Sequence, residues 1–430
     1  MNRLRRWVAA SAGCALAAGM IAVPVPAQAA GSDPCTADFR LNQPVPALGM
    51  LQSDLAWSVT RGAGVTVAVV DSGVSANNPH LTAAVSGGVN LVPDGTDAAG
   101  TTDQYGHGTA IAGQIAARKI DGSSVEGLAP EARIMPVRVF AGADDRQVQA
   151  GFGPSAARMA DGIRYAASHG AQIINVSMSM TAPDPAVSAA VAEATARGSL
   201  VIASAGNRDS NMSLGKSDQD GTRYPAGDPS AVGVAATDLN GVVTETSIHG
   251  PHVSVAALGQ SILTTSAAGG DCSYADTDPA TSYAAAYVSA AAALVAAAHP
   301  RETPAQWAYR LEATAVRPDP GSRDDSAGWG IVQPYEAMML VPGPGIPGPP
   351  SPFDVGDEPV ATPTPAAAVV VHDDPPADAA AIALGLVTAI GGLVVLGAAG
   401  AGGVLVARRR AAGRATVTRV GRGLYGEPPA

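Results

Sequence analysis

The chain has 430 residues, of which 47% are hydrophobic and 15% charged, enough for one large domain with a substantial core and further segments. Its formal net charge is -11, which argues against a nucleic-acid partner.

The first 30 residues have the composition of a secretory signal. Three arginines within the first six residues form a positive start, an apolar stretch follows, and Ala27-Gln28-Ala29 is a small-x-small cleavage site. We expect residues 1–30 to be a signal peptide and the chain to be exported. Residues 31–50 are polar and proline-containing, which predicts an extended N-terminal arm.

Cysteine usage agrees with export. Cys14 lies in the expected signal peptide and would be removed with it. Cys35 and Cys272 then remain as an even pair in a chain directed to an oxidising compartment. We expect a disulfide between them, which would pin the arm near the segment that precedes Ser282. Two unrelated buried thiols are the alternative.

A large domain is predicted over residues 51–340, opening with a short helix near Leu51. The run from Val65 to Val70 has no alternation of polar and apolar residues, which is typical of a parallel strand buried on both faces. Asp71 stands at its carboxyl end, where open α/β sheets place their ligand crevices. A strand-ending turn aspartate is the alternative.

His107 lies between two glycines at the start of a run of small residues. The run predicts a tightly packed helix that begins at the histidine, and the glycines allow close approach of other backbone. A structural histidine is the alternative for this residue taken alone.

Strands and helices alternate along the following part of the chain. Strands are predicted at 133–139, 172–178 and 200–203, helices at 155–169, 186–197 and 303–315, surface loops at 141–152 and 211–221, and a closing segment at 332–340. The alternation is typical of an α/β fold with a mainly parallel sheet.

Ser282 stands at the start of a helix made almost wholly of small apolar residues, up to Ala296. A helix without a polar face belongs in the middle of a domain, and roughly 16 residues are too few to span a bilayer. Free backbone N–H groups at a helix start stabilise negative charge, so a serine held there can act as a nucleophile. Helix capping is the alternative.

The composition changes after residue 340. Residues 341–378 are proline-rich and predict a semi-rigid linker. Residues 379–407 are an uncharged apolar run of spanning length, followed directly by three arginines, which predicts a single transmembrane helix. The arginines place the basic tail, residues 408–430, in the cytoplasm and the large domain outside the cell membrane. A buried helix of a soluble domain is the alternative.

Asp71, His107 and Ser282 occur in one of the chain orders known for the aspartate–histidine–serine triad. In that chemistry Ser282 attacks a carbonyl, and His107 takes its proton and later gives it to the leaving amine. Asp71 fixes the histidine tautomer and stabilises the imidazolium. Each motif is weak alone, and the three together predict a serine endopeptidase.

The segments around these three residues resemble those of the subtilase superfamily (subtilisin-like, peptidase S8 type) over residues 51–340. The resemblance implies a subtilisin-like three-layer fold and a polypeptide substrate. The whole plan, from signal through one C-terminal transmembrane helix to basic tail, is similar to the mycosins, membrane-anchored subtilases of actinobacterial type VII secretion systems. A type VII secretion membrane complex is therefore an implied partner. The arm is too short for a folding-assistant propeptide domain.

The resemblance adds residues around the triad. Asn207 matches the oxyanion position, where its amide would donate to the tetrahedral intermediate together with the Ser282 backbone N–H; a turn residue is the alternative. Ser177, Met178 and Ser179 match the substrate-binding strand, which pairs with an extended peptide; a plain sheet strand is the alternative. Tyr224-Pro225 matches a further pocket wall.

Four residues depart from the family's usual pattern. Ala280 stands in place of a glycine before Thr-Ser, Ala286 in place of a proline, Ser179 in place of a glycine, and Ala110 in place of a second histidine. An extra Cβ at 280 or 179 would narrow the acyl pocket or tilt the turn at Ser282. Family membership is therefore expected, and fast turnover is not assured.

Family members often bind calcium, but no ligand spacing for it is present, so no cofactor or metal is expected. His249 and His252 are interpreted as loop residues. The alternative function, of another class, is a structural component of a membrane secretion complex in which catalysis is dispensable. A surface protease without partners is a third interpretation.

Overall fold

The computed structural model describes residues 35–353 except residues 209, 211 and 216. The predicted signal peptide, transmembrane helix and basic tail lie outside the described residues, as do the start of the arm and most of the linker.

Helices and strands alternate through the middle of the described chain. The helices are α1 (Pro46–Met50), α2 (Ser53–Val59), α3 (His107–Ala116), α4 (Asp145–Gln149), α5 (Ala156–Ser168), α6 (Pro185–Ala196), α7 (Thr281–Ala298), α8 (Pro304–Ala313) and α9 (Pro334–Met339). The strands are β1 (Thr66–Asp71), β2 (Val89–Asn90), β3 (Arg133–Arg138), β4 (Ile173–Val176), β5 (Ser179–Met180), β6 (Leu200–Ser204), β7 (Ser213–Leu214), β8 (Ala231–Thr237), β9 (Val255–Leu258), β10 (Ile262–Thr265) and β11 (Asp271–Tyr274).

Seven of the strands form one sheet in the order β2-β3-β1-β4-β6-β8-β9. Every pairing in this sheet is parallel. Two small two-stranded sheets stand beside it, an antiparallel β10–β11 hairpin and a parallel β5–β7 pair. The predicted α/β class with a mainly parallel sheet is confirmed.

Helices cover both faces of the sheet, which gives three layers. On β1, Val67 and Val69 belong to the core cluster that holds α3 and α7, while Ala68 and Val70 belong to the cluster that holds α5 and α6. Because successive side chains point to opposite faces, a strand covered on both sides needs apolar residues at every position. This explains the unbroken apolar run of β1.

Helix α7 passes through the middle of the larger core. Its first sixteen residues are buried, and it contacts α3 and strands β4, β6, β8 and β9. In the described part of the chain, α7 is the one helix that is long and apolar enough to cross a membrane, but 83% of it is buried in the protein. Its small side chains let the backbone approach these strands closely, so it is a core helix.

Three local predictions need correction. The arm is not extended throughout, because Pro46 occupies a first-turn position of α1, where its fixed φ favours a helix. The predicted loop 141–152 contains α4, whose N-terminus is capped by Asp144. The predicted strand 172–178 ends at Val176, and the chain then enters the separate strand β5.

The predicted end of the domain at residue 340 is also too early. Phe353 packs edge-on against Tyr309, with ring centroids 5.7 Å apart, and lies under the Arg310 guanidinium at 5.4 Å. The Pro347 carbonyl accepts a hydrogen bond from Arg317 Nη2 at 3.3 Å. The first part of the predicted linker therefore belongs to the folded domain.

The arm is fastened to the hairpin that precedes α7. A disulfide joins Cys35 to Cys272 on β11. The backbone N–H of Leu41 donates to Asp271 Oδ2 at 2.8 Å. These two contacts hold the arm beside β11.

Candidate active site

Three secondary-structure elements bring Asp71, His107 and Ser282 together. Asp71 is the last residue of β1, His107 the first of α3 and Ser282 the second of α7. Their relative exposures are 0%, 7% and 2%, so the site lies below the surface with the histidine most accessible. Carboxyl ends of parallel strands and helix N-termini meet at one edge of an α/β sheet, which gathers the three residues there.

The three side chains form a continuous hydrogen-bonded chain. His107 Nδ1 lies 2.9 Å from both Asp71 oxygens, and His107 Nε2 lies 3.0 Å from Ser282 Oγ. An ionised carboxylate can only accept, so Nδ1 carries the proton and Nε2 is left to accept from the serine hydroxyl. The serine therefore has a base in reach, and that base is held in the required tautomer.

Glycines next to the triad allow the elements to approach. A Cβ on Gly108 would lie 2.1 Å from the Gly73 carbonyl oxygen, a distance that no side chain tolerates. The backbone N–H of Ser72 donates to Asp71 Oδ1 at 2.7 Å, which orients the carboxylate. The Gly-His-Gly pattern thus reflects close packing of α3 on the end of β1.

Asp103 supports the start of α3 and was missed by the sequence analysis. Its carboxylate accepts from the backbone N–H groups of Gly106 and Thr109 and from the hydroxyls of Thr109 and Ser72, at 2.6–2.8 Å. Burial raises the pKa of Asp103, against these hydrogen bonds, which favour the charged form. An acidic residue just before a predicted helix was the signal that could have identified it.

The environment of His107 favours its charged form. Burial alone would lower the pKa of His107, but the charge and hydrogen bond of Asp71, with a contribution from Asp103, outweigh burial and raise it. The Tyr283 ring lies against the imidazole, with centroids 5.4 Å apart. The site therefore stabilises the imidazolium that proton transfer from a serine creates.

Asn207 follows β6 and contacts the start of α7. Its Oδ1 accepts from the backbone N–H of Thr281 at 2.8 Å. Because that partner is a donor, the amide oxygen must face it, and the Nδ2 group is directed elsewhere as a donor. The Thr281 hydroxyl bonds the hydroxyl of Ser204 at 2.6 Å, so the first turn of α7 is attached to the end of β6.

The predicted substrate strand lies against the same turn. Ser177 Oγ donates to the Ser282 carbonyl at 3.1 Å and accepts from Asn175 Nδ2 at 2.8 Å. Asn175 Oδ1 in turn accepts from Ser289 Oγ at 2.9 Å. Asn175 and Ser289 were missed by the sequence analysis, and they connect β4 to α7 through a buried polar chain.

The end of this strand is paired within the protein. Ser179 lies opposite Ser213 in the β5–β7 pair, and their hydroxyls are 2.7 Å apart. Met180 exchanges backbone hydrogen bonds of 2.7 and 2.9 Å with Tyr224, so Tyr224-Pro225 lies beside β5. Ser177 and Met178 lie between the paired stretches of β4 and β5.

The departures from the family pattern leave the triad geometry intact. Ala280 has an ordinary extended backbone, with φ -124°, so its Cβ causes no backbone strain. Ala286 is buried within an unbroken α7, and Ala110 is buried within α3. Ser179 alone places additional atoms beside the site, next to Gly206.

His252 lies in a loop, as predicted, but its side chain is not exposed. It is buried, and its Nε2 lies 2.9 Å from the carbonyl oxygen of Ala205, two residues before Asn207. Burial lowers the pKa of His252. His249 lies nearby, where its backbone N–H donates to Asp220. Within the part of the chain that the structure describes, no group of three His, Cys, Asp or Glu residues is arranged to hold a metal ion.

The sequence of this chain is similar to those of several known proteins. The subtilase family (Peptidase_S8) matches residues 62–330. Thermitase of Thermoactinomyces vulgaris is 36% identical over 216 residues, which are 50% of this chain and 70% of thermitase. Mycosin-3 of Mycobacterium tuberculosis is 33% identical over 329 residues, covering 66% of this chain and 68% of mycosin-3.

Solved structures agree with these sequence matches. The MycP3 protease from the type VII (ESX-3) secretion system is similar with a TM-score of 0.61 and 31% identity, over 73% of this chain and 90% of that chain. MycP1 from Mycobacterium smegmatis is similar with a TM-score of 0.61 and 28% identity, over 75% of this chain and 92% of that chain.

Proposed function

The chain belongs to the subtilase family of serine peptidases, and from this premise we propose that Asp71, His107 and Ser282 are its catalytic triad. The observation that carries the proposal is the hydrogen-bonded chain from carboxylate to imidazole to hydroxyl, at 2.9 and 3.0 Å. A serine at a helix start, a base in reach and a carboxylate that orients the base are the parts that acyl transfer requires.

Each residue has one role in the proposed reaction. Ser282 Oγ attacks the scissile carbonyl carbon while His107 Nε2 takes the hydroxyl proton. The carbonyl oxygen becomes an oxyanion, which Asn207 Nδ2 and the Ser282 backbone N–H stabilise. His107 then protonates the leaving amine, and a water molecule activated by the same nitrogen hydrolyses the acyl-enzyme. Asp71 stabilises the imidazolium in both halves of the cycle.

The substrate is a polypeptide bound in an extended conformation. Ser177 and Met178 lie outside the paired registers of β4 and β5, so they form the stretch that the peptide would pair with. Ser177 also contacts the Ser282 carbonyl, so a peptide paired here lies beside the nucleophile.

The test of the proposed activity is peptide hydrolysis by the full-length chain in detergent, with fluorophosphonate labelling of Ser282. Ser282→Ala should abolish labelling and lower kcat by about 10⁶, because triad members act as a unit. Ser168→Ala, at the exposed end of α5, is the matched control and should keep full activity. Labelling or hydrolysis at the parental rate in folded Ser282→Ala would reject the triad.

The cellular context is a second part of the proposal. The signal-like residues 1–30 and the apolar run 379–407 with arginines after it support a single-pass membrane protein with the protease domain outside and residues 408–430 in the cytoplasm. A type VII secretion membrane complex as partner is supported by mycosin-3 and by the MycP3 structure, which comes from such a system.

Two experiments test this context. Protease added to intact cells should remove the domain and leave a fragment that contains residues 408–430, and the reverse pattern would reject the topology. In a strain that lacks the gene, Ser282→Ala tests whether secretion depends on catalysis. If the inactive chain restores secretion fully, a structural role in the complex accounts for the requirement.

A further inference from the structure

A small cavity opens beside Asn207. Its volume is about 10 Å³, and it lies between residues 177–179 on one side and Gly206 and Asn207 on the other, with Met212 also among its lining residues. A cavity needs about 10–15 Å³ to hold one water molecule, so the walls of this cavity almost close the space between them.

Two of its walls touch the proposed nucleophile and the residue before it. Ser177 Oγ bonds the Ser282 carbonyl at 3.1 Å, and Asn207 Oδ1 bonds the Thr281 backbone N–H at 2.8 Å. An acyl group on Ser282 Oγ that points its oxygen at Asn207 Nδ2 therefore has its α-carbon beside this cavity. The side chain that precedes the scissile bond, the P1 side chain, would enter there.

Ser179 limits the space between the two walls. A Cβ placed on Gly206 would lie 3.2 Å from Ser179 Oγ and 3.2 Å from Arg223 Cγ, so both side chains reach across to the Gly206 backbone. Ser179 is 4% exposed, and its hydroxyl is held by Ser213 Oγ at 2.7 Å. The hydroxyl pair therefore fixes Ser179 in the position that closes the cavity.

We propose that Ser179, held by Ser213, closes the P1 pocket and restricts cleavage to bonds that follow small residues such as glycine, alanine or serine. The proposal rests on the proposed peptidase activity and adds its substrate class. Larger side chains such as leucine and phenylalanine would meet Ser179 Oγ before their carbonyl carbon reached Ser282.

The experiment compares matched peptides that differ only at P1, with the full-length chain in detergent. Alanine at P1 should exceed phenylalanine in kcat/KM by at least roughly 10–200-fold, the discrimination that a single methylene group gives in a pocket, because phenylalanine carries a whole additional ring. Ser179→Gly should raise kcat/KM for leucine and phenylalanine by about tenfold or more, mainly through KM, and change alanine little. Ser213→Ala leaves the Ser179 hydroxyl in place but removes its hydrogen-bond partner. It should therefore raise kcat/KM for leucine and phenylalanine by less than Ser179→Gly does.

Controls keep this proposal separate from the triad. Fluorophosphonate carries no P1 side chain, so it should label the parent, Ser179→Gly and Ser179→Ala at similar rates. Failure to label the parent would reject the peptidase proposal. Two results with normal labelling would overturn the role of Ser179 and leave the peptidase proposal standing. One is equal cleavage after alanine and phenylalanine, and the other is a ratio of alanine to phenylalanine cleavage that is unchanged in Ser179→Gly and Ser179→Ala. Ser168→Ala should match the parent throughout.

Discussion

His80 and Asp271 form a fully buried pair, with His80 Nε2 3.0 Å from Asp271 Oδ1 and both side chains at 0% exposure. The other ring nitrogen, Nδ1, lies 2.6 Å from the carbonyl oxygen of Arg118. The imidazole of His80 therefore bridges a carboxylate and a backbone carbonyl inside the protein. Asp271 Oδ2 also accepts from Leu41 and Ser123, so the pair joins four segments of the chain.

Replacing His80 should destabilise the domain strongly. His80→Asn takes the imidazole away from the buried Asp271 carboxylate, and removing one partner of a buried pair typically costs about 3–5 kcal/mol. The measurement is the free energy of unfolding by urea. His169→Asn changes an exposed histidine that stacks on Tyr165, and it should stay within about 0.5 kcal/mol of the parent. Equal losses in the two variants would contradict this account of the pair.

The pH dependence of hydrolysis should report the raised pKa of His107. The general base acts only when neutral, so activity is full above the pKa of His107 in the folded protein and falls as the pH drops through it. Because that pKa is raised, the acid limb of kcat/KM should lie above about 6.5, the value of an ordinary histidine. A rate that is flat down to about pH 4 would indicate a different base.

Asn207 should contribute less to the rate than Ser282 does. Asn207→Ala removes one oxyanion donor and should lower kcat by about 10²–10³. Asn207→Asp keeps an oxygen for the Thr281 N–H but places an acceptor where the donor is needed, so it should fold normally and lose comparable or greater activity. The assay is peptide hydrolysis with melting as the folding check. Full activity in Asn207→Asp would remove Asn207 from the oxyanion site.

The disulfide should protect both cysteines and stabilise the fold. Cys35 and Cys272 should resist alkylation until a reductant is added, and a double serine variant should lose roughly 2–5 kcal/mol of stability. Mass spectrometry of alkylated protein and urea unfolding check the two parts. Free thiols in the folded, exported protein would contradict the first part.

Local patterns were sufficient to predict the main elements and to single out three side chains that the fold brings within hydrogen-bond distance. Each of three patterns is visible in about ten consecutive residues: an apolar run that ends in Asp71, a histidine between glycines, and a serine at the start of an alanine-rich helix. The order of the three along the chain then indicated the type of site. Strand β7 and the pairing of Ser179 with Ser213 leave no such pattern, because they depend on a partner strand 34 residues away.

The polar contacts that support the site were not predictable for a similar reason. Asn175 bonds a serine 114 residues away and His80 an aspartate 191 residues away. Such pairs have no periodicity or spacing, since the fold alone brings them together. The end of the domain was placed too early because a proline-rich composition resembles a spacer even where, at Phe353, it packs on α8.

The attachment of the arm also sets an order of events during biogenesis. Leu41 and Cys35 emerge from the ribosome first, yet their partners Asp271 and Cys272 follow 230 and 237 residues later. The arm must therefore remain unattached until all seven strands of the central sheet have been made, and it can dock only after β11 has been made. Contacts of such long sequence separation form late and slowly. A chain that stalls before residue 272 would present an unattached N-terminal arm to any protease that it meets.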